Sequence, residues 1–327
     1  MKIITKSLLL TLLIYLASPL NVKSQIEISN IDQIGKIKNG TTYIAMKDPD
    51  LENVKDYFTI FNTYWTVSKI KFIKYTEIEK YLLPENSFLT ISAFRRNITM
   101  QTARSNGMMS NGLNYQITQI YLELWNCKDK FFEKGKKEKE FDDSYKNQMA
   151  RIELFTDYNT LKHPEIILNL DYDGNRCIRN WGTGFLKNYI QLLMRLLNKN
   201  EEKKLYSEIN NKEELINLKK EVLYIPAYIL TKFDKFTGAE NQYHDEKEMI
   251  SKYKFKYEYL PTVDLNKKIL SETSVFYYLI YIKSSTDKYV SVVNSQTGEI
   301  IYSRYTSTSY NIKPKDFKYL SKKILSS

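Results

Sequence analysis

Apolar positions along the chain switch between strand and helix rhythms, and the switches come in a repeated order. Thr41 to Met46 reads as a strand. Asp48-Pro49 then supplies a helix cap with proline in the first turn. Leu51, Val54, Phe58, Phe61 and Trp65 follow at helical spacing, predicting one apolar helix face. Lys69 to Tyr75 sets Ile70, Phe72 and Ile73 against lysines, as a half-buried strand does. Thr76 and Glu79 have capping-box spacing for a short helix that stops at Pro84, and Ser87 to Phe94 is a further strand. The order is β-α-β-α-β.

The same order returns later. Val222 to Leu230 reads as a strand, Asp245 and Glu248 cap a short helix, Phe255 to Tyr259 is a strand, and Thr262 opens a helix to Leu270. Val275 to Lys283 is a tyrosine-rich strand. Tyr289 to Val293 and Glu299 to Tyr302 flank Asn294–Gly298, a hairpin loop with glycine where positive φ is needed. Pro314 starts a last helix with Phe317, Leu320 and Ile324 facing inward. Thr76 to Phe88 laid on Val263 to Val275 matches Lys80 with Lys267, Leu83 with Leu270, Glu85 with Glu272 and Ser87 with Ser274. Tyr43-Ile44 meets Tyr224-Ile225 once extra residues are allowed around Gly238 to Asp245.

Between the two copies, Arg95 to Asn111 is polar and turn-rich. It predicts an exposed loop carrying Arg95, Arg96 and Arg104. Strands are expected at Tyr115 to Trp125, Met149 to Tyr158 and Glu165 to Tyr172, with a solvated charge cluster at Lys134 to Asp143. Phe185, Tyr189, Ile190, Leu193, Leu196 and Leu197 make the most apolar helix of the chain, and Asn211 to Lys220 is a second capped helix. The expected fold is α/β, with α+β as the alternative: two related β-α-β-α-β lobes with mixed sheets and a C-terminal β-hairpin. The lobes span 25–145 and 206–327. Residues 146–205 connect them through the apolar helix, which both lobes would cover.

The start of the chain changes where this fold is expected to work. Lys2 and Lys6 precede an apolar run, Ser7 to Ala17, and Val22-Lys23-Ser24 offers a small-residue cleavage site before Gln25. That is a secretory signal over residues 1–24, because a membrane span needs about 20 apolar residues. The mature protein is therefore expected in the periplasm or outside the cell. Net charge is +11 from 49 Lys and Arg against 38 Asp and Glu, three of the positive charges leaving with the signal. Lysine dominates arginine and acids are interspersed, which makes nucleic acid an unlikely partner.

Few residues carry chemistry. No nucleophile elbow, zinc-protease, Walker or dinucleotide motif occurs. Gly182-Thr183-Gly184 before a helix has the outline of a phosphate cradle but lacks the Lys-Ser/Thr that follows it in a P-loop. Asp171-Tyr172-Asp173-Gly174-Asn175 has the opening of a calcium loop, but its Gly is misplaced and no Glu closes it; a hairpin turn accounts for the same residues. His163 and His244 sit in loop contexts. Cys127 and Cys177 could form a disulfide after export, worth about 4 kcal/mol, or remain two buried thiols; with two His they are too scattered for a zinc site. No cofactor or metal is expected.

Tyr278 to Tyr302, with Asn180-Trp181-Gly182-Thr183-Gly184-Phe185-Leu186-Lys187-Asn188-Tyr189, resembles uncharacterised exported proteins of low-GC Gram-negative bacteria. The resemblance implies an envelope location and no chemistry. The expectation is a non-enzymatic binding or scaffold protein whose partner is an envelope protein or glycan. The alternative is an envelope hydrolase acting on glycan or peptide. Any site should lie near the seam between lobes.

Overall fold

The computed structural model describes residues 25–47, 54–103, 109–133, 141–163, 167, 178–204, 208–234, 237, 239–242, 245–284, 287–307 and 309–327, with 94–103 and 109–117 as backbone only. Helices combine with two mixed six-stranded sheets. The first contains β1 (Ile26–Ile28), β2 (Thr41–Met46), β3 (Lys69–Lys74), β4 (Ser87–Ala103), β5 (Met109–Cys127) and β6 (Lys146–Glu153) in the order β1-β6-β5-β4-β2-β3. The second contains β7 (Ile209–Asn210), β8 (Leu223–Pro226), β11 (Tyr257–Leu260), β12 (Tyr277–Ser284), β13 (Asp287–Asn294) and β14 (Ile300–Thr306). Between β8 and β11, β9 (Thr231–Phe233) and β10 (Glu240–Gln242) pair with each other alone.

From edge to edge the second sheet runs β7-β14-β13-β12-β8-β11, which repeats the first sheet strand for strand. The directions repeat too. β2 lies parallel to both β3 and β4, and β8 parallel to both β11 and β12; the remaining pairs are antiparallel. The registers fix equivalent residues. Thr42 lies opposite Ser87 and Ser87 opposite Asn126; Leu223 lies opposite Tyr277 and Tyr277 opposite Asn294. Tyr43 thus corresponds to Tyr224, Ile91 to Tyr281, and Asn126 to Asn294. β10 falls in the Gly238 to Asp245 stretch where the sequence placed its extra residues.

Several local expectations change. Val222 to Leu230 is a strand only to Pro226; a 3-10 turn, Ala227–Leu230, follows because Pro226 cannot donate to a ladder. On helix α1 (Val54–Tyr64), Phe58 is 48% exposed, while Ile60 and Phe61 are buried along with Trp65 just beyond it. The buried stripe is rotated from the one the spacing suggested, because α1 packs against a second helix as well as the sheet. The loop expected at Arg95 to Asn111 is instead a ladder up to Ala103 opposite Met109. Arg95 pairs with Thr118 and Arg96 with Ile117 in backbone register, while Arg104 lies outside the described residues. Ladder hydrogen bonds are made by the main chain, so a polar run pairs as readily as an apolar one once its turn closes. β6, read as part of the connection, joins the first sheet.

The core is organised around α2 (Thr183–Asn198). Twelve of its sixteen residues are buried, among them Phe185, Tyr189, Ile190, Leu193 and Leu197. It packs on α1 of the first lobe and on α3 (Thr262–Ser271) of the second. Gly184 makes the second contact possible: a Cβ there would lie 2.6 Å from the Asn266 carbonyl oxygen on α3. The hairpin loop of the second sheet presses on the same helix. Gly298, at φ 68°, would bring a Cβ to 2.1 Å from the Asn188 carbonyl oxygen. Asn188 accepts from the Tyr278 hydroxyl and donates to the Ser295 carbonyl, and Gln191 donates to the Gln296 carbonyl. The equivalent helix of the second lobe, α4 (Pro314–Leu325), buries only five of its twelve residues. The apolar excess of α2 is thus explained by its two neighbours.

No helix among the described residues is long and apolar enough to cross a membrane.

Candidate functional site

In both sheets one strand sits centrally with its two parallel partners on opposite sides: β3-β2-β4 and β11-β8-β12. The chain leaves the central strand towards one side and later returns on the other. Such a switch of direction opens a crevice at the carboxyl end of the strand, where α/β sheets bind their ligands. Here β4 runs on past the end of β2. Their pairing stops at Ile44 opposite Leu89, and Ile91 lies beyond.

A pocket occupies this crevice in the first lobe. Its cavity volume is about 60 Å³, several times what one water needs. Leu89 and Ile91 of β4 with Leu122 of β5 form an aliphatic floor, and Ile44 to Lys47 form the β2 side. Tyr57 and Phe61 come from α1, and Tyr75 follows β3. Ile167, Ile178, Trp181 and Leu186 close the remaining wall. Trp181 is held by its indole N–H, which donates to the Tyr57 hydroxyl at 3.3 Å. Burial pushes the Tyr75 phenol up from its ordinary pKa, so it stays neutral at physiological pH. Among the described residues, no carboxylate, imidazole, thiol or serine lines the pocket.

Trp181 belongs to a short strap, residues 178–181, that is fixed at both ends. The Arg179 N–H donates to the Phe155 carbonyl, and the Phe155 N–H donates to Asn180 Oδ1 at 2.7 Å. Asn180 also donates to the Tyr189 hydroxyl, which donates back to the Asn180 carbonyl. Gly182 then turns into α2 at φ 139°, its Cα facing the Asn266 side chain. The two glycines of the Gly-Thr-Gly motif therefore serve helix contacts with Asn266.

In the second lobe the equivalent crevice is filled from within. The residue that follows β8 at the position of Lys47 is Tyr228. Its ring is buried and its hydroxyl accepts from the Tyr281 backbone N–H at 3.2 Å. Phe155 of the first lobe packs edge-on against both Tyr228 and Tyr281.

Beside this plug lies a partly buried ion cluster joining the lobes. Glu240 accepts from Arg179 at 2.5 Å and lies 3.8 Å from Lys283 Nζ. Lys283 sits over the Phe233 ring at 3.9 Å, with Phe155 and Tyr158 farther off. Burial depresses the Lys283 ammonium to about 8, against the opposing pull of Glu240. A second cluster on the first sheet ties Glu123 to Ser92 and Lys146, and Arg151 to Glu153. Burial raises the Glu153 carboxyl in spite of Arg151.

Of the candidate chemical residues singled out from sequence, Cys127 and His163 do not line the pocket. Cys127 is buried at the end of β5, and Cys177 lies outside the described residues, as do Asp171, Asp173 and His244. His163 ends the short helix Tyr158–Lys162. Among the described residues no group of three or more His, Cys, Asp or Glu is arranged to hold a metal. The pocket residues escaped sequence reasoning because the pattern gives the succession of strands, not which strand lies at the centre. Comparison of the chain with protein-family models, with curated proteins and with solved structures returns no match.

Proposed function

We propose that the chain is an exported, non-enzymatic binding protein of the cell envelope, and that the first-lobe crevice holds its ligand. The observation that carries this reading is the contrast between the two crevices: the same topological position is a packed aromatic plug in one lobe and an open apolar pocket in the other. A pocket of this size in a well-packed interior costs stability, so its persistence is accounted for by a ligand that fills it. The apolar walls favour binding over acid–base chemistry, which needs titratable groups within reach of the reacting atoms.

The test uses an environment-sensitive apolar fluorophore titrated into the purified mature chain. Saturable binding at one site is expected, lost in Met46→Trp, which fills the mouth, with the thermal midpoint retained. Absence of saturable binding, or equal binding by both chains, would overturn the reading. The export half is tested separately by mass spectrometry of the chain from envelope fractions. A terminus at or near Gln25 supports it and an intact Met1 refutes it.

A further inference from the structure

We infer that the second lobe carries, in Tyr228, an internal copy of the first lobe's ligand, and that the ligand is a phenol or a similar aromatic ring bearing one hydrogen-bond acceptor. This deepens the binding reading above and rests on it. The two sheets share strand order, strand direction and register, so a group bound in one crevice is a geometric guide to the other. In the second lobe the occupant is the phenol of Tyr228, and its one polar contact with the sheet is the N–H of Tyr281. Tyr281 lies opposite Val290, as Ile91 lies opposite Leu122. Alternation along the ladder therefore aims the Ile91 N–H, like that of Tyr281, towards the β2 side of β4, beyond the last β2–β4 pair. Ile91 lines the pocket.

The first lobe lacks the plug because its residue at that position is Lys47, and the chain there must supply Tyr57 and Trp181 as aromatic walls. A ring resting against them would contact Leu89 and Leu122 below and present its oxygen to Ile91. Burying that N–H against a purely aliphatic ligand would leave it without a partner, which costs more than the bond itself gains. The recognition chemistry is thus an apolar ring first and an acceptor second. It is met equally by a free phenolic compound and by a tyrosine side chain offered by a polypeptide.

The experiment is a ¹⁵N–¹H titration of the whole mature chain with p-cresol and with toluene, rings of nearly the same shape that differ in the oxygen. p-Cresol should bind at least about fivefold tighter, and the Ile91 amide should move with p-cresol and not with toluene. Equal affinities, or an Ile91 amide that stays put while Leu89 and Leu122 shift, would overturn the ligand assignment and leave the pocket standing as an apolar site. Failure of both compounds to bind would overturn the binding reading and this inference together. A Gly-Tyr-Gly peptide blocked at both ends distinguishes the sources. Competition with p-cresol supports a phenol delivered by a polypeptide, and lack of competition supports a free small molecule.

Discussion

The two lobes solve one folding problem with opposite outcomes at one place. Each builds six strands in the same order, and each leaves a crevice where the chain reverses beside its central strand. The second lobe closes it with Tyr228 and borrows Phe155 from its neighbour to finish the packing. The first lobe rings the space with Tyr57, Tyr75 and Trp181 and leaves it open. Topology thus sets where a site can be, and the residue just after the central strand decides whether it becomes core or pocket.

The sharpest way to break this contrast is to empty the plug. Tyr228→Ala should cost about 4 kcal/mol, as large-to-small changes of buried aromatic residues do, whereas Tyr57→Ala at the open pocket should cost about 1 kcal/mol. Urea denaturation of the two variants checks it; similar losses would mean that the crevices are not differently packed.

Next in size are the contacts that make one body of two lobes. Gly184→Ala and Gly298→Ala drive a Cβ into backbone atoms of Asn266 and Asn188, and Gly298 adds a backbone conformation that side chains resist. Each should cost about 3 kcal/mol or more, seen as a lower thermal midpoint of a single transition. Two separate transitions would show that α2 does not couple the lobes.

The ion cluster at the junction predicts a pH dependence of stability that Lys283 carries. Lys283 has a folded-state pKa of about 8, below the roughly 10.4 of an unfolded lysine. Between these values the unfolded chain holds more protons, so stability rises with pH across that window and is flat for this group below it. The gain should be roughly 3 kcal/mol or less. Lys283→Met should abolish it, measured by denaturant midpoints at a series of pH values from neutral to alkaline.

The smallest effect compares two equivalent asparagines. Asn294 donates to Glu214 and accepts from the backbone of its own hairpin loop, while both side-chain polar atoms of Asn126 are buried with no hydrogen-bond partner among the described residues. Asn294→Ala should cost about 2 kcal/mol, and Asn126→Ala should stay within about 0.5 kcal/mol because an unmet polar group is removed. The reverse ranking would show that Asn126 is satisfied by a buried water.

Much of this architecture was legible as rhythm. The caps at Asn211 and Asp245, the inward face of Phe317, Leu320 and Ile324, and the glycine turn at Gly298 are local signals, and each element forms where the signal lies. Of the repeat, the Tyr43 and Tyr224 match holds in the sheet registers, whereas Ser87 corresponds to Tyr277 and not to Ser274, because three more residues separate β11 from β12 than the sequence match allowed. What escaped was non-local. Phe58 satisfies the helical spacing yet is half exposed, since the direction in which α1 meets its neighbours is a tertiary matter. The pocket needs Ile44, Tyr57, Ile91 and Trp181 together, and only the central position of β2 brings them there.

The short edge strands carry a consequence for how the chain reaches this state. β1 pairs with β6, Ile26 facing Ile152, and β7 pairs with β14, Ile209 facing Ser303. Each lobe is therefore latched by its first strand finding its last. The entropy of closing so long a loop grows only slowly with its length, but contacts this distant in sequence slow the search for them. Neither sheet can be completed until nearly its whole segment has been made, and the second lobe waits on β14. A truncation that removed β14 and α4 would leave the first lobe's sheet intact but undo the hairpin whose loop, Ser295 to Gly298, presses on α2. Loss of these two elements would thus be felt at the centre of the molecule.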